Sequence, residues 1–168
     1  MRKRLSTEKK TGTPGRSPMD EALRYLESRA RTVREVERRL DACGYGEIEV
    51  GNTVERLREL NLLDDAAYAR EFVRTRLNTK PVSRAHLREQ LMAHETEREA
   101  IDEALSGLTG ETEEQSAALV ARKYARQYAH LPLDERREIV LRRLSARGFS
   151  YDVSRAAADA AFSGEDEA

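Results

Sequence analysis

The chain has 168 residues, of which 39% are hydrophobic, 36% charged and 5% aromatic, with no tryptophan and a net charge of −1. So little apolar material among so many charges excludes one thick globule and fits a thin, solvated core. Ala, Leu, Arg and Glu, which lose little side-chain freedom in a helix, prevail, so the expected fold class is all-α.

Taken in chain order, residues 1–18 read as a disordered basic tail. Arg2, Lys3, Arg4, Lys9, Lys10 and Arg16 stand there against the single carboxylate of Glu8, among Thr, Gly, Pro and Ser. Such an arm can contact phosphates or an acidic protein, although most arms of this composition are simply solvated.

A leading helix is expected near 19–29, marked by Leu23 and Leu26. The next helix is the best punctuated. Val33, Val36, Leu40 and Cys43 recur at helical spacing, Thr32 and Glu35 form a capping box, and Gly44 takes the left-handed position beyond the C-cap with Tyr45 as its apolar companion. A trailing helix near 53–60 carries Val54 and Leu57. Ile48-Glu49-Val50 is too short to pair as a strand and reads as helix or loop.

The punctuation returns in Leu144-Ser145-Ala146-Arg147-Gly148-Phe149, which parallels Leu40-Asp41-Ala42-Cys43-Gly44-Tyr45. A third copy of the turn is expected midway, near residue 96, where Leu91-Met92-Ala93-His94-Glu95 stands. The chain thus divides into three three-helix repeats, 19–63, 64–108 and 109–163, followed by an acidic tail at 164–168. In the second, Phe72, Val73 and Leu77 mark a leading helix near 65–77, and Ile101 and Leu105 a trailing one near 97–106. In the third, Val120, Tyr124 and Tyr128 mark a helix near 113–129. Asp134 is expected to cap the helix of Val140, Leu141 and Leu144, and Val153, Ala156 and Ala160 mark a last helix near 151–162. Units this small bury little apolar surface alone, so an elongated, curved array of copies leaning on one another is expected, with hinges at Pro81 and at Gly107–Gly110.

No residues assemble into recognisable catalytic chemistry. His94-Glu95 begins like the HExxH zinc motif, but Arg98 stands where the second histidine is needed. His86, His94 and His130 lack partners at ligand spacing, so neither a metal site nor a cofactor is expected. Gly44, Gly46 and Gly51 follow a helix rather than a strand and read as turn residues, not as a phosphate loop. Asp64-Asp65 precede a helical Ala-Ala-Tyr-Ala run and read as caps for free backbone N–H groups. Cys43 cannot form an internal disulfide and has no histidine placed to activate it. A protein that is not an enzyme is expected. With no apolar run near the roughly 20 residues of a membrane span and no visible secretory leader, it is expected to be cytoplasmic and monomeric.

Three-helix units invite comparison with helix-turn-helix DNA readers, yet the trailing helices are poor in outward Arg, Lys, Asn or Gln, and 97–106 is net acidic. The cations gather elsewhere. Copy one holds Arg31, Arg34, Arg38 and Arg39. Copy two holds Arg70, Arg74, Arg76, Lys80, Arg84 and Arg88, with only Glu71 in that stretch to neutralise them, and copy three holds Arg122, Lys123 and Arg126 and then Arg136, Arg137, Arg142, Arg143 and Arg147. Arg70 to Arg88, with Arg122, Lys123 and Arg126, is the preferred contact surface, for an acidic protein or for phosphates.

Two segments carry a family resemblance: residues 63–74, Leu-Asp-Asp-Ala-Ala-Tyr-Ala-Arg-Glu-Phe-Val-Arg, and residues 143–153, Arg-Leu-Ser-Ala-Arg-Gly-Phe-Ser-Tyr-Asp-Val. Over roughly 19–162 the chain resembles the RecX regulators of the bacterial recombinase RecA. The resemblance implies a tandem of three three-helix repeats. It also implies a non-catalytic protein that binds the RecA filament on single-stranded DNA and lowers its ATPase, strand-exchange and co-protease activities. Members of the family often have glycine where this chain has His94-Glu95, a departure that bears on the geometry of the middle turn. Two other readings come from the residues alone: a stand-alone binder of single- or double-stranded nucleic acid, and a helical adaptor for another partner.

Overall fold

A computed structural model describes residues 15–163. The expected basic tail lies largely, and the acidic tail wholly, outside the described residues. Ser17 and Pro18 belong to the fold, as the N-cap and first residue of α1. The described residues form nine helices and no strand: α1 (Pro18–Glu27), α2 (Val33–Ala42) and α3 (Glu47–Glu59); α4 (Asp65–Thr79), α5 (Arg84–Ala93) and α6 (Arg98–Ser106); α7 (Gly110–Gln127), α8 (Leu133–Ser145) and α9 (Tyr151–Phe162). None is long and apolar enough to cross a membrane.

Each triplet closes on its own small core. Val36, Leu40 and Leu57 are fully buried in the first, Leu87, Leu91 and Leu105 in the second, and Val140, Leu144 and Phe162 in the third. The three clusters stand in series without merging. Cores of this size are marginal alone, so polar contacts between units carry unusual weight.

Caps fix the helix starts. Ser17 with Asp20, and Thr32 with Glu35, make reciprocal capping boxes, while Asp64, Ser83, Thr109 and Ser150 accept N–H groups of their own first turns. The middle helices of the three units all end in the same turn. Gly44 N–H donates to Asp41 O at 2.8 Å and Tyr45 N–H to Leu40 O at 3.3 Å. Gly148 and Phe149 bond in the same way to Ser145 and Leu144, at 2.8 and 3.4 Å. In the middle unit Glu95 and Thr96 do so to Met92 and Leu91, at 2.9 and 3.2 Å. Glu95 therefore adopts a left-handed φ of 53°, where the other copies use Gly44 at 85° and Gly148 at 79°. The glycine-free turn keeps the geometry of its neighbours and bears the steric cost of a Cβ there, about 1 kcal/mol.

The units meet through that turn. The Thr32 hydroxyl, fully buried at the start of α2, donates to the carbonyl of His94 at 2.8 Å. At the next junction Ser83, in the matching position before α5, donates its backbone N–H to the carbonyl of Arg147 at 3.0 Å. Measured from the turn, the third unit has Arg136 in that register. There α8 begins a turn earlier than α2 or α5, and Arg136 is buried with its guanidinium 5.1 Å from the ring of Phe162.

Ile48-Glu49-Val50 is helical, one of the two states expected of it. Several other expectations are corrected. Gly46 serves as N-cap, so α3 starts six residues before the expected 53, which places Gly51 inside a helix rather than in a turn. Pro132, not Asp134, precedes α8; Asp134 sits in its first turn, where its charge complements the helix dipole. Leu23 is 38% exposed while Ala22 faces the core, and α9 buries Ala157, Ala158 and Phe162 rather than Ala156 and Ala160. Pro81 joins α4 to α5 within one unit, and the buried Val82 and the Ser83 bond to Arg147 pin that segment instead of leaving it a hinge.

Candidate binding surface

Folding redistributes the charge of the preferred surface. Arg74 pairs with Glu71 at 2.7 Å as the sequence suggests, but α6 also lays two carboxylates against the stretch: Glu103 meets Arg70 at 2.9 Å and Asp102 meets Arg88 at 2.6 Å. Residues 70–88 are thus far better neutralised in space than in sequence. All three pairs are exposed, and pairs of that kind contribute at most about 1 kcal/mol.

Arg76, Lys80 and Arg84 differ. The Arg76 guanidinium lies 5.2 Å from the ring of Phe72, and among the described residues none of the three makes an ion pair. The same holds for the exposed Arg122, Lys123 and Arg126 of α7. The nine candidate cations therefore split into three that are internally satisfied and six that are available.

Lys80 and Lys123 come together. They line a cleft of about 220 Å³ between the end of α4 and the middle of α7, with Asn78, Thr79, Tyr124 and Arg147 among its other walls and no carboxylate. Tyr124 is its centre. Arg147 donates to its hydroxyl at 3.0 Å, and the guanidinium carbons of Arg147 and Arg143 lie 5.2 and 5.4 Å from its ring centre, with the Lys123 ammonium at 5.9 Å. Burial alone would push the Tyr124 phenol up, but the Arg147 hydrogen bond and the three cations outweigh it and hold the phenol below its usual range. Tyr128 stacks on Tyr124 with ring centres 6.3 Å apart and planes 18° apart, and His130 follows at 6.4 Å. The tyrosines were legible as helix markers. Their clustering with Arg143 and Arg147 depends on α7 packing across α8, which no local pattern signals.

Among the other groups examined in the sequence, Asp64 caps its own helix through Ala67 N–H at 3.0 Å. Asp65 instead is buried between units: Oδ1 accepts from Val33 N–H at 2.8 Å and Oδ2 from Glu97 N–H at 3.0 Å. Burial raises its pKa above the ordinary aspartate value, and those two donors oppose the rise. Both acidic residues are caps, one local and one remote. His94 Nδ1 lies 3.4 Å from Glu35, and His86 Nδ1 3.4 Å from Glu89. Among the described residues no cluster of His, Cys, Asp or Glu has the makings of a metal site.

Comparison with known proteins places this architecture. Residues 19–57 match the family model described as the first three-helix domain of RecX, and residues 64–105 the second three-helix domain. A regulatory protein RecX of Chlorobaculum tepidum is 33% identical over 139 residues, covering 83% of this chain and 84% of that protein. Regulatory protein RecX of Levilactobacillus brevis is also 33% identical, over 79% of this chain but 50% of its own length, so the chain spans half of that relative. The crystal structure of RecX from Lactobacillus salivarius superposes with a TM-score of 0.72 at 26% identity, over 86% of this chain and 94% of that one. With a relative at this identity matched over more than four fifths of both chains, and the same helical repeats, the chain belongs to the RecX family of regulatory proteins.

Proposed function

We propose that this protein binds the RecA filament assembled on single-stranded DNA and lowers its ATPase, strand-exchange and co-protease activities, catalysing no reaction itself. The observation that carries this reading is the serial stacking of RecX-type units through one repeated contact, Thr32 to His94 and Ser83 to Arg147. A ligand built of similar units in a row can touch successive subunits of a helical polymer. Several weak contacts then add through effective concentration, with no deep pocket required. The cations left unpaired on the middle unit, Arg76 and Arg84, together with Arg122 and Arg126, supply the charge for an acidic partner surface. The protein acts in the cytoplasm as a monomer.

The test is DNA-dependent ATP hydrolysis by RecA on single-stranded DNA. Substoichiometric protein is expected to suppress it, and a folded Arg76→Glu/Arg84→Glu variant to suppress it less. Unchanged hydrolysis across a broad concentration range overturns the reading, and full inhibition by the double variant removes the middle face from it.

A further inference from the structure

Tyr68, Phe72, Thr75, Arg76 and Thr79 recur at helical spacing and share one face of α4. With Ala30, from the linker between α1 and α2, they line a pocket of about 320 Å³ between the first and second units. One wall is aromatic. Tyr68 and Phe72 stack with ring centres 6.2 Å apart and planes 25° apart, and His94 meets both edge-on at 6.0 and 5.6 Å. The His94 carbonyl accepts the Thr32 hydroxyl, so the bond that joins the two units also fixes this wall. Val73, the next residue after Phe72, is buried in the core of the second unit, whereas Tyr68 and Phe72 remain half-buried and line the pocket.

The charge around the wall is positive. Among the described residues Arg76 makes no ion pair, and its guanidinium lies 5.2 Å from the centre of the Phe72 ring. Arg31 stacks on Tyr25 at 4.1 Å and donates to the Ser28 hydroxyl at 3.2 Å, likewise without a carboxylate among the described residues. The one carboxylate in the lining, Glu71, is taken by Arg74 at 2.7 Å and by the Thr75 hydroxyl at 3.0 Å. Burial pushes the Tyr68 phenol above its usual range and Glu35 adds to the rise, while Arg29 and Arg31 act against it, which brings both guanidinium groups within electrostatic reach of the pocket. Among the described residues the Tyr68 hydroxyl has no hydrogen-bond partner.

We infer that this pocket docks a protein segment in which one bulky apolar side chain, an aromatic one above all, is flanked by carboxylates. The anchor meets the rings of Tyr68 and Phe72, and the flanking carboxylates reach Arg76 and Arg31. A volume of about 320 Å³ stands at the lower limit of small-ligand cavities and suits a single large side chain. An apolar anchor seated in a pocket with a polar rim is the arrangement that concentrates binding energy at protein interfaces. The lining holds one cation, Arg76, too few to track a phosphodiester backbone. The pocket does not depend on RecA, so it stands or falls separately from the reading above.

The test is two-dimensional amide NMR of the isotope-labelled full chain without RecA, titrated with the end-blocked peptide Glu-Glu-Phe-Glu-Glu. Saturable shifts are expected at Ala30, Phe72, Thr75, Arg76 and Thr79. Replacing the peptide's phenylalanine by alanine is expected to weaken binding about tenfold or more, and replacing its glutamates by lysines to abolish it. Thr75→Phe, at an exposed position, fills the pocket from within and is expected to abolish binding of the phenylalanine peptide. Arg76→Gln is expected to weaken it about threefold and to reduce its salt dependence. Arg56→Gln, which removes one exposed charge of the first unit outside the lining, is the control and is expected to bind like the unmodified chain. Absence of saturable shifts, shifts centred outside the pocket, or equal affinity for the alanine peptide overturns the site. Undiminished binding of the lysine peptide overturns the acidic partner. Reversal of the shifts by oligothymidylate as readily as by excess of an unrelated acidic peptide with a phenylalanine anchor assigns the pocket to nucleic acid and overturns the inference. The amide spectra report whether each variant is folded, and the comparison of phenylalanine and alanine peptides on the unmodified chain decides without any variant.

Discussion

The carboxylate of Asp65 accepts the backbone N–H of Val33 at 2.8 Å, so the first residue of α4 caps the first residue of α2 in the preceding unit. Its second oxygen takes the Glu97 N–H at the start of α6, where no side chain of the helix's own forms a cap. One buried side chain thereby ties three helices. Asp65→Ala leaves two amides without their acceptor and is expected to cost about 2–3 kcal/mol in urea denaturation, against about 1 kcal/mol for the exposed Asp64→Ala. Equal costs for the two would show that the inter-unit bonds contribute nothing.

Gly148 combines a φ of 79° with a Cβ position 2.7 Å from the Ser83 hydroxyl oxygen and 3.0 Å from the His86 Cβ. Gly148→Ala therefore strains the backbone and forces the second and third units apart, with an expected loss of about 2–3 kcal/mol. The complementary change, Glu95→Gly, relieves a left-handed residue and is expected to be neutral or to stabilise by up to about 1 kcal/mol, after loss of the exposed Arg38–Glu95 pair. Thermal melting of both proteins checks the opposite signs.

Thr32 and Ser83 separate capping from docking. The Thr32 hydroxyl caps Glu35 N–H and also donates to His94 O, whereas the Ser83 hydroxyl caps His86 N–H and leaves docking to its backbone. Thr32→Val is expected to cost about 2 kcal/mol and Ser83→Ala about 1 kcal/mol, the excess measuring the inter-unit bond. Chemical denaturation resolves a difference of that size.

Acid sensitivity should reside partly in Glu21. The Arg39 hydrogen bond lowers its pKa below the usual glutamate value, with burial working against that shift. A carboxylate with a lowered folded pKa contributes stability that is fully present above its unfolded pKa and is lost as pH falls through the folded value. Melting temperatures of the unmodified chain should thus decline as pH falls below the usual glutamate range, and Glu21→Gln should flatten that limb while lowering the plateau above it. An acid limb unchanged by the substitution would refute this assignment.

Local chemistry was readable in the sequence wherever cause and effect lie within a turn of each other. The Thr32–Glu35 box and the Gly44 and Gly148 turns follow from residues three to five apart, and the middle turn from its place midway between those two. What the sequence hid was chemistry made by packing. Asp65 looks like its neighbour Asp64, and only the approach of α2 and α6 gives it a different task. Arg70 and Arg88 looked free because Glu103 and Asp102 arrive from another helix. The Tyr124 cluster escaped notice because each member also serves an ordinary helical pattern, and only the packing of α7 across α8 brings Arg143 and Arg147 to the ring.

The junction contact also gives the molecule a direction. The first and second units each present a donor before the middle helix, and it meets the carbonyl at the far end of the next unit's middle helix. In the third unit the donor register is filled by the buried Arg136 on the extra turn of α8. A further copy placed after it would find no counterpart to Thr32 or Ser83, while one placed before the first unit would meet the same kind of carbonyl that His94 and Arg147 offer. The stack of described units therefore has two unlike ends, an acceptor carbonyl at the front and a buried arginine in place of the donor at the back.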